Sequence, residues 1–222
     1  AKGKVSVMAK GARKTKSQFG STLQPMAYPE VVFYYKPTRT LQIISESSHV
    51  QAFHNLQRSL EKITIGLRIV GLVRAVMEEE DAQPAVFNLI ARTLRLLDAT
   101  ERRAGNLWPF VQVRLASLLG VAPAVRRENV EAVADEGLLS LADGGVYPLD
   151  ATPEAARRAS RAALRAYAVF VRADVDAVLR MRLDEPVRRE VERLVEDFMR
   201  YHFGDAYPDR TGEIGAQLLA ER

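Results

Sequence analysis

The chain has 222 residues, 47% hydrophobic and 27% charged, a composition suited to a buried core and not to disorder. It contains no cysteine, which excludes a disulfide framework and a thiolate zinc site. Its formal net charge of +4 is unevenly spread: residues 1–45 hold 8 Lys and Arg against 1 acid, whereas 46–222 hold 24 against 27. A basic first fifth on a nearly neutral body points to a phosphate-binding surface or a solubilising arm. A membrane contact fits less well, since no basic amphipathic helix accompanies the cluster. No apolar run approaches the roughly 20 residues needed to span a bilayer. The opening AKGKVSV is no signal peptide, so the expected setting is the cytoplasm.

From Val5 to about Glu46 the pattern is that of strands. KVSVMAK alternates Val5, Val7 and Ala9 with polar neighbours, EVVFYYK is β-branched and aromatic, and TLQIISE follows a Pro37-Thr38-Arg39 turn. Three strands are few for an independent sheet, and the chain starts on Ala1 directly in a strand-like run, so a preceding segment is expected. After Ser47 or Ser48, either of which could cap a helix, the period shifts to about 3.6. Helices are expected near 49–60, 61–79, 83–98, 105–119, 153–181 with a break, and 186–202. Trp108, Val111, Leu115, Leu118 and Leu119 form one core stripe, and Val187, Val191, Leu194, Val195 and Phe198 another. Between Gly120 and Thr152 the helical rhythm lapses, and GLLSLADGGVYPL predicts a small hairpin turning at Asp143-Gly144-Gly145. The expectation is an α+β chain with a β-rich domain at 1–47, a helical domain at 48–222, and a hairpin insertion near 121–151.

No catalytic constellation is present. His49 and His54 stand five apart, not the four that would align two ring nitrogens on one helical face, and there is no phosphate loop, dinucleotide fingerprint or nucleophile elbow. Asp205, Asp209 and Glu213 fall in a Gly- and Pro-containing tail, GDAYPDRTGE, where solvated carboxylates are the ordinary reading. A metal-dependent nuclease would need them to converge.

Two basic features remain. In AKGARKTKSQFGSTLQP, Lys10, Arg13, Lys14 and Lys16 stand among small residues that let a backbone approach a phosphate chain closely. Phe19, Tyr28, Phe33, Tyr34 and Tyr35 could stack on unpaired bases if they face outward. Farther on, Arg157, Arg158, Arg161, Arg165 and Arg172 occur with no acid between Glu154 and Asp174. The spacing of Arg157, Arg161 and Arg165 predicts one stripe along a helix, either a solvated face or a surface for an anionic partner.

Together these pieces resemble the RecO family of bacterial recombination and repair mediators. Gly3, Lys4 and Ser6 match its G-K-x-S step. Ala9, Lys10, Gly11, Ala12, Arg13, Lys14, Ser17 and Phe19 match its A-K-G-A-R motif, and Gly20, Leu23 and Pro25 its G-x-L-x-P. FVQVRLASLLGVAP, through Phe110, Arg114, Leu115, Leu118, Leu119, Gly120 and Pro123, and the YHFG at 201–204 resemble two later motifs. The resemblance covers nearly the whole chain and implies an N-terminal oligonucleotide-binding (OB-fold) barrel, here short of its first strands, followed by a helical domain.

It implies a non-enzymatic, cytoplasmic and nucleoid-associated protein that binds single- and double-stranded DNA and anneals complementary strands. With RecR, and in some relatives RecF, it would load recombinase on DNA coated by single-strand-binding protein. The acidic C-terminal tail of that protein would dock on the helical domain. Lys4, Lys10, Arg13, Lys14, Lys16 and Phe19 are the implied nucleic-acid contacts, with Arg157, Arg161 and Arg165 as a partner or second DNA surface. Many relatives carry a four-cysteine zinc site near the hairpin. The corresponding AVRREN and VYPLD hold none, so no metal or other cofactor is expected. The rival expectation is a non-catalytic helical scaffold whose basic arm binds acidic proteins.

Overall fold

The computed structural model describes residues 2–12, 14, 17 and 19–208. It is an α+β chain that divides by contact density into two units, residues 1–99 and 100–222. The expected boundary at 47/48 followed the change from strands to helices, whereas the first compact unit also takes in two helices.

In the first unit, β1 (Val7–Met8), β2 (Tyr28–Tyr34) and β3 (Gln42–Gln51) form a sheet in the order β1-β3-β2, β1 parallel and β2 antiparallel to β3. The three expected strands are present, but no closed barrel forms among the described residues. Pro29 is tolerated because β2 is an edge strand. Register partners share a face. Val31 pairs with Ser47 and Phe33 with Ile44 on one side, and Tyr34 pairs with Ile43 on the other.

The helix expected at 49–60 is absent. Ser47, Ser48 and His49 pair with Val31, Glu30 and Pro29, so β3 runs on to Gln51, and only a 3-10 turn (Leu56–Arg58) follows. The helix start is Ser59, whose hydroxyl accepts the Lys62 N–H to open α1 (Leu60–Val76). Helix α2 (Pro84–Ala99) has proline at its first position, where a missing N–H leaves no bond unmade.

In the second unit α3 (Leu107–Leu118) is buried on nearly every side, from Leu107 through Val113 and again at Leu115 and Ala116. That is the mark of a central core helix. Around it come α4 (Arg127–Ala132), β4 (Glu136–Ser140), β5 (Val146–Pro148), β6 (Ala156–Ser160), α5 (Arg161–Arg172), α6 (Val175–Arg180) and α7 (Glu185–Phe203). Helices α3, α5 and α7 pack together around Leu115, Leu164, Tyr167, Phe170, Phe198 and Met199, all fully buried. Of the two expected stripes, Leu118 alone turns out exposed.

The predicted hairpin is β4–β5, and β6 pairs with β4 on its other side to make a three-stranded sheet. The expected helix over 153–181 is therefore corrected. Ala155 adopts a positive φ of 49°, incompatible with a helix, and the true start is Ser160, which caps Ala163. No helix among the described residues is long and apolar enough to cross a membrane.

Candidate nucleic-acid interface

The connector between β1 and β2 is wound into successive tight turns, with Ala12, Lys14, Ser17 and Gly20 each donating an N–H to the carbonyl three residues back. Two buried side chains hold it. Phe19 is 6% exposed, and Thr22 exchanges a hydrogen bond with Ser47 on β3. Met26 Sδ lies over Gly66 of α1 and fixes the far end. This anchoring leaves Lys10 and Lys14 exposed. Arg13 and Lys16 lie outside the described residues.

Two of the implied contacts are engaged inside the fold. Phe19 is a core side chain and offers no ring to a base. The Lys4 ammonium donates to the carbonyls of Arg74 and Met77 at the C-terminal end of α1, where a cation completes unpaired acceptors and complements the helix dipole. Its neighbours act with it. The Lys4 carbonyl accepts from Glu80 N, the Ser6 hydroxyl donates to Glu79, and Gly3 sits at φ 73° against the Asp81 backbone, where a Cβ would lie 2.2 Å from the carbonyl oxygen. The G-K-x-S step is a clamp between the N-terminal segment and the end of α1. Lys4→Met is expected to lower stability by about 1–3 kcal/mol. Thermal denaturation would show the loss as a lower melting temperature.

Sequence reading missed a second basic element. The side chain of Gln42, 1% exposed, accepts from Lys36 N and donates to the carbonyls of Lys36 and Arg39, so one amide staples the whole turn between β2 and β3. Lys36 and Arg39 stand exposed on it. A glutamine at an inward-facing strand position just after a turn was the only signal. Lys2 lies 3.7 Å over the ring of Tyr35, and the Tyr35 hydroxyl donates to Glu80, whose carboxylate raises its phenol above the ordinary value.

In the second unit the expected arginine stripe does not form. Arg157 and Arg158 lie on β6, Arg157 bonded to Asp197 at 2.7 Å and Arg158 to Glu136. Arg161 and Arg165 remain one turn apart on α5. The Arg161 Nε is buried without a hydrogen-bond partner, and Arg165 is exposed. Across the hairpin, Asp143 accepts from Gly145 N and from the Tyr147 hydroxyl at 2.6 Å. Burial pushes the Asp143 carboxyl up, but these bonds and one from Ser140 outweigh it and hold it below the usual carboxylate range. His202 Nε2 meets the Leu141 carbonyl at 2.8 Å, and the Tyr167 hydroxyl donates to the Gly144 carbonyl. Among the described residues no three His, Asp or Glu side chains gather into a metal site. Asp209 and Glu213 lie outside the described residues.

The arrangement is one of exposed cations on braced turns. The model of the family described as "Recombination protein O N terminal" matches residues 1–53, and that of "Recombination protein O C terminal" matches 57–211. The chain is 66% identical over 218 residues to the DNA repair protein RecO of Salinibacter ruber, covering 98% of this chain and 84% of that protein. It is 27% identical to the RecO of Chloroherpeton thalassium, covering 98% of this chain and 88% of that one, and 26% to that of Prosthecochloris aestuarii, covering 97% and 87%. With both halves matched and the motifs in their order, this chain belongs to the RecO family.

Proposed function

We propose that the protein acts in DNA repair and recombination as a non-catalytic mediator. It binds single- and double-stranded DNA, anneals complementary strands and helps load recombinase on DNA coated by single-strand-binding protein, with RecR as partner and RecF as a further one. The observation that carries this reading is the family match along both halves of the chain. The exposed Lys10, Lys14, Lys36 and Arg39 supply the positive surface a phosphate chain requires. The open three-stranded sheet is read as part of an oligonucleotide-binding barrel, a fold that holds single strands against its strands and connecting loops. Arg161 and Arg165, the two cations of the expected stripe that make no ion pair among the described residues, are the proposed seat for the acidic tail of single-strand-binding protein or a second stretch of DNA. Such a protein works in the cytoplasm at the nucleoid.

The test is fluorescence anisotropy of a labelled single-stranded oligonucleotide across a salt series, with the intact protein and with Lys10, Arg13, Lys14 and Lys16 all replaced by alanine. Each phosphate contact on a single strand contributes about 0.7 to the slope of log affinity against log salt, so the variant should lose roughly 3. Equal slopes would move the DNA surface to the β2–β3 turn or α5. No binding by either protein would leave the scaffold reading in its place.

A further inference from the structure

The sheet of the first unit exposes an apolar row that the connector does not cover. Met8 pairs with Ile43 and Ile43 with Tyr34, so one residue from each strand lines up across the same face. Met8 is 44% exposed, Tyr34 72%, and Val32, two residues before Tyr34, 52%. The other aromatics near the basic cluster are engaged elsewhere. Phe19 is buried, and Tyr28 packs edge-on against Phe87 with Arg95 over its ring. Phe33 pairs with Ile44 on the opposite face, and Tyr35 is held by Glu80 and Lys2. Tyr34 is the one ring of the five that is mostly open to solvent.

Exposed cations stand toward both ends of the row. Because β1 runs parallel to β3 and β2 antiparallel, the chain leaves Met8 and Tyr34 in opposite directions. Lys10 therefore follows on one side of the row and Lys36 with Arg39 on the other. At about 3.3 Å per residue, a cation two residues away reaches roughly 7 Å from the row, about the step between successive phosphates of an extended strand. Glu46, paired with Val32, and Glu30 beyond it are exposed toward the same end as Lys10 but on β3 and β2, which turns an anion at that end toward the β1 edge. We infer that Tyr34 is a stacking platform for an unpaired nucleobase, with Met8 and Ile43 as the apolar floor and Lys10, Lys36 and Arg39 on the flanking phosphates. This rests on the DNA-binding reading above and assigns the base contact that reading leaves open.

The test uses the full chain, a labelled single-stranded oligonucleotide of mixed sequence, and the same backbone with abasic sites. Tyr34→Ala should weaken binding of the intact oligonucleotide roughly 5- to 150-fold, the range measured for loss of one base–aromatic stack, with the salt slope unchanged. Tyr34→Phe, which keeps the ring, should bind like the wild type. Abasic sites should weaken the wild type and leave Tyr34→Ala nearly indifferent. The side chain stands in solvent, so both variants should melt with the wild type. Wild-type binding that is indifferent to abasic sites, or full binding by Tyr34→Ala, overturns the stacking assignment alone. A wild type that binds no single strand overturns the proposed function and this assignment with it.

Discussion

Gly144→Ala is expected to destabilise the second unit by about 2–5 kcal/mol, combining left-handed strain with overpacking of a filled site. Gly144 sits at φ 66° in the turn after β4, and a Cβ there would lie 2.6 Å from Pro123 Cβ, 2.8 Å from Pro123 Cα and 2.9 Å from Phe198 Cε2. None of the three atoms is the end of a flexible side chain. The same residue accepts the Tyr167 hydroxyl through its carbonyl, so displacing the turn also strands a buried phenol. Urea denaturation would show a lower midpoint at unchanged m-value. A loss under 1 kcal/mol would mean that the turn is not seated between Pro123 and α7.

Asn106→Leu should cost about 3–5 kcal/mol although the volume scarcely changes, because it removes three hydrogen bonds at once around a fully buried side chain. Asn106 is fully buried at the entrance to α3. Its Nδ2 donates to the carbonyls of Val178 at 2.8 Å and Met181 at 3.0 Å, closing the C-terminal end of α6, and its Oδ1 accepts from Arg188 of α7 at 3.1 Å. One amide thus ties three helices. Leucine would leave two carbonyls and part of a guanidinium without partners. Calorimetry should show a melting temperature several degrees lower, and an unchanged one would mean that water replaces all three bonds.

The parts of this fold that were legible are those whose signal is local. Alternation found β1 and the core of β2 and β3, the 3.6 period found α1, α2, α3 and α7, and the Asp143-Gly144-Gly145 turn found its hairpin. Ser47 and Ser48 misled because serine caps helices and also serves in half-exposed strands, and only pairing with β2 decides between them. The stretch before Ser160 misled because alanines and arginines favour helix, while β4 offered an open edge that captured Arg157 and Arg158 as a strand. In the candidate site, Lys10 and Lys14 were readable as charge. The work of Lys4, Phe19 and Gln42 was not, since each acts on a partner distant in sequence or is hidden in the core.

The staple made by Gln42 bears on how fast and how tightly an anion could be held. A loop that must first order itself loses roughly 1–2 kcal/mol of backbone freedom per residue when it binds. The turn from Lys36 to Gln42 has already surrendered that freedom on folding, through three hydrogen bonds to a single buried amide. Its two cations are presented in one backbone arrangement before any phosphate arrives, and only side-chain rotamers remain to be fixed. Association of an anion with a surface set in this way is limited by encounter instead of rearrangement.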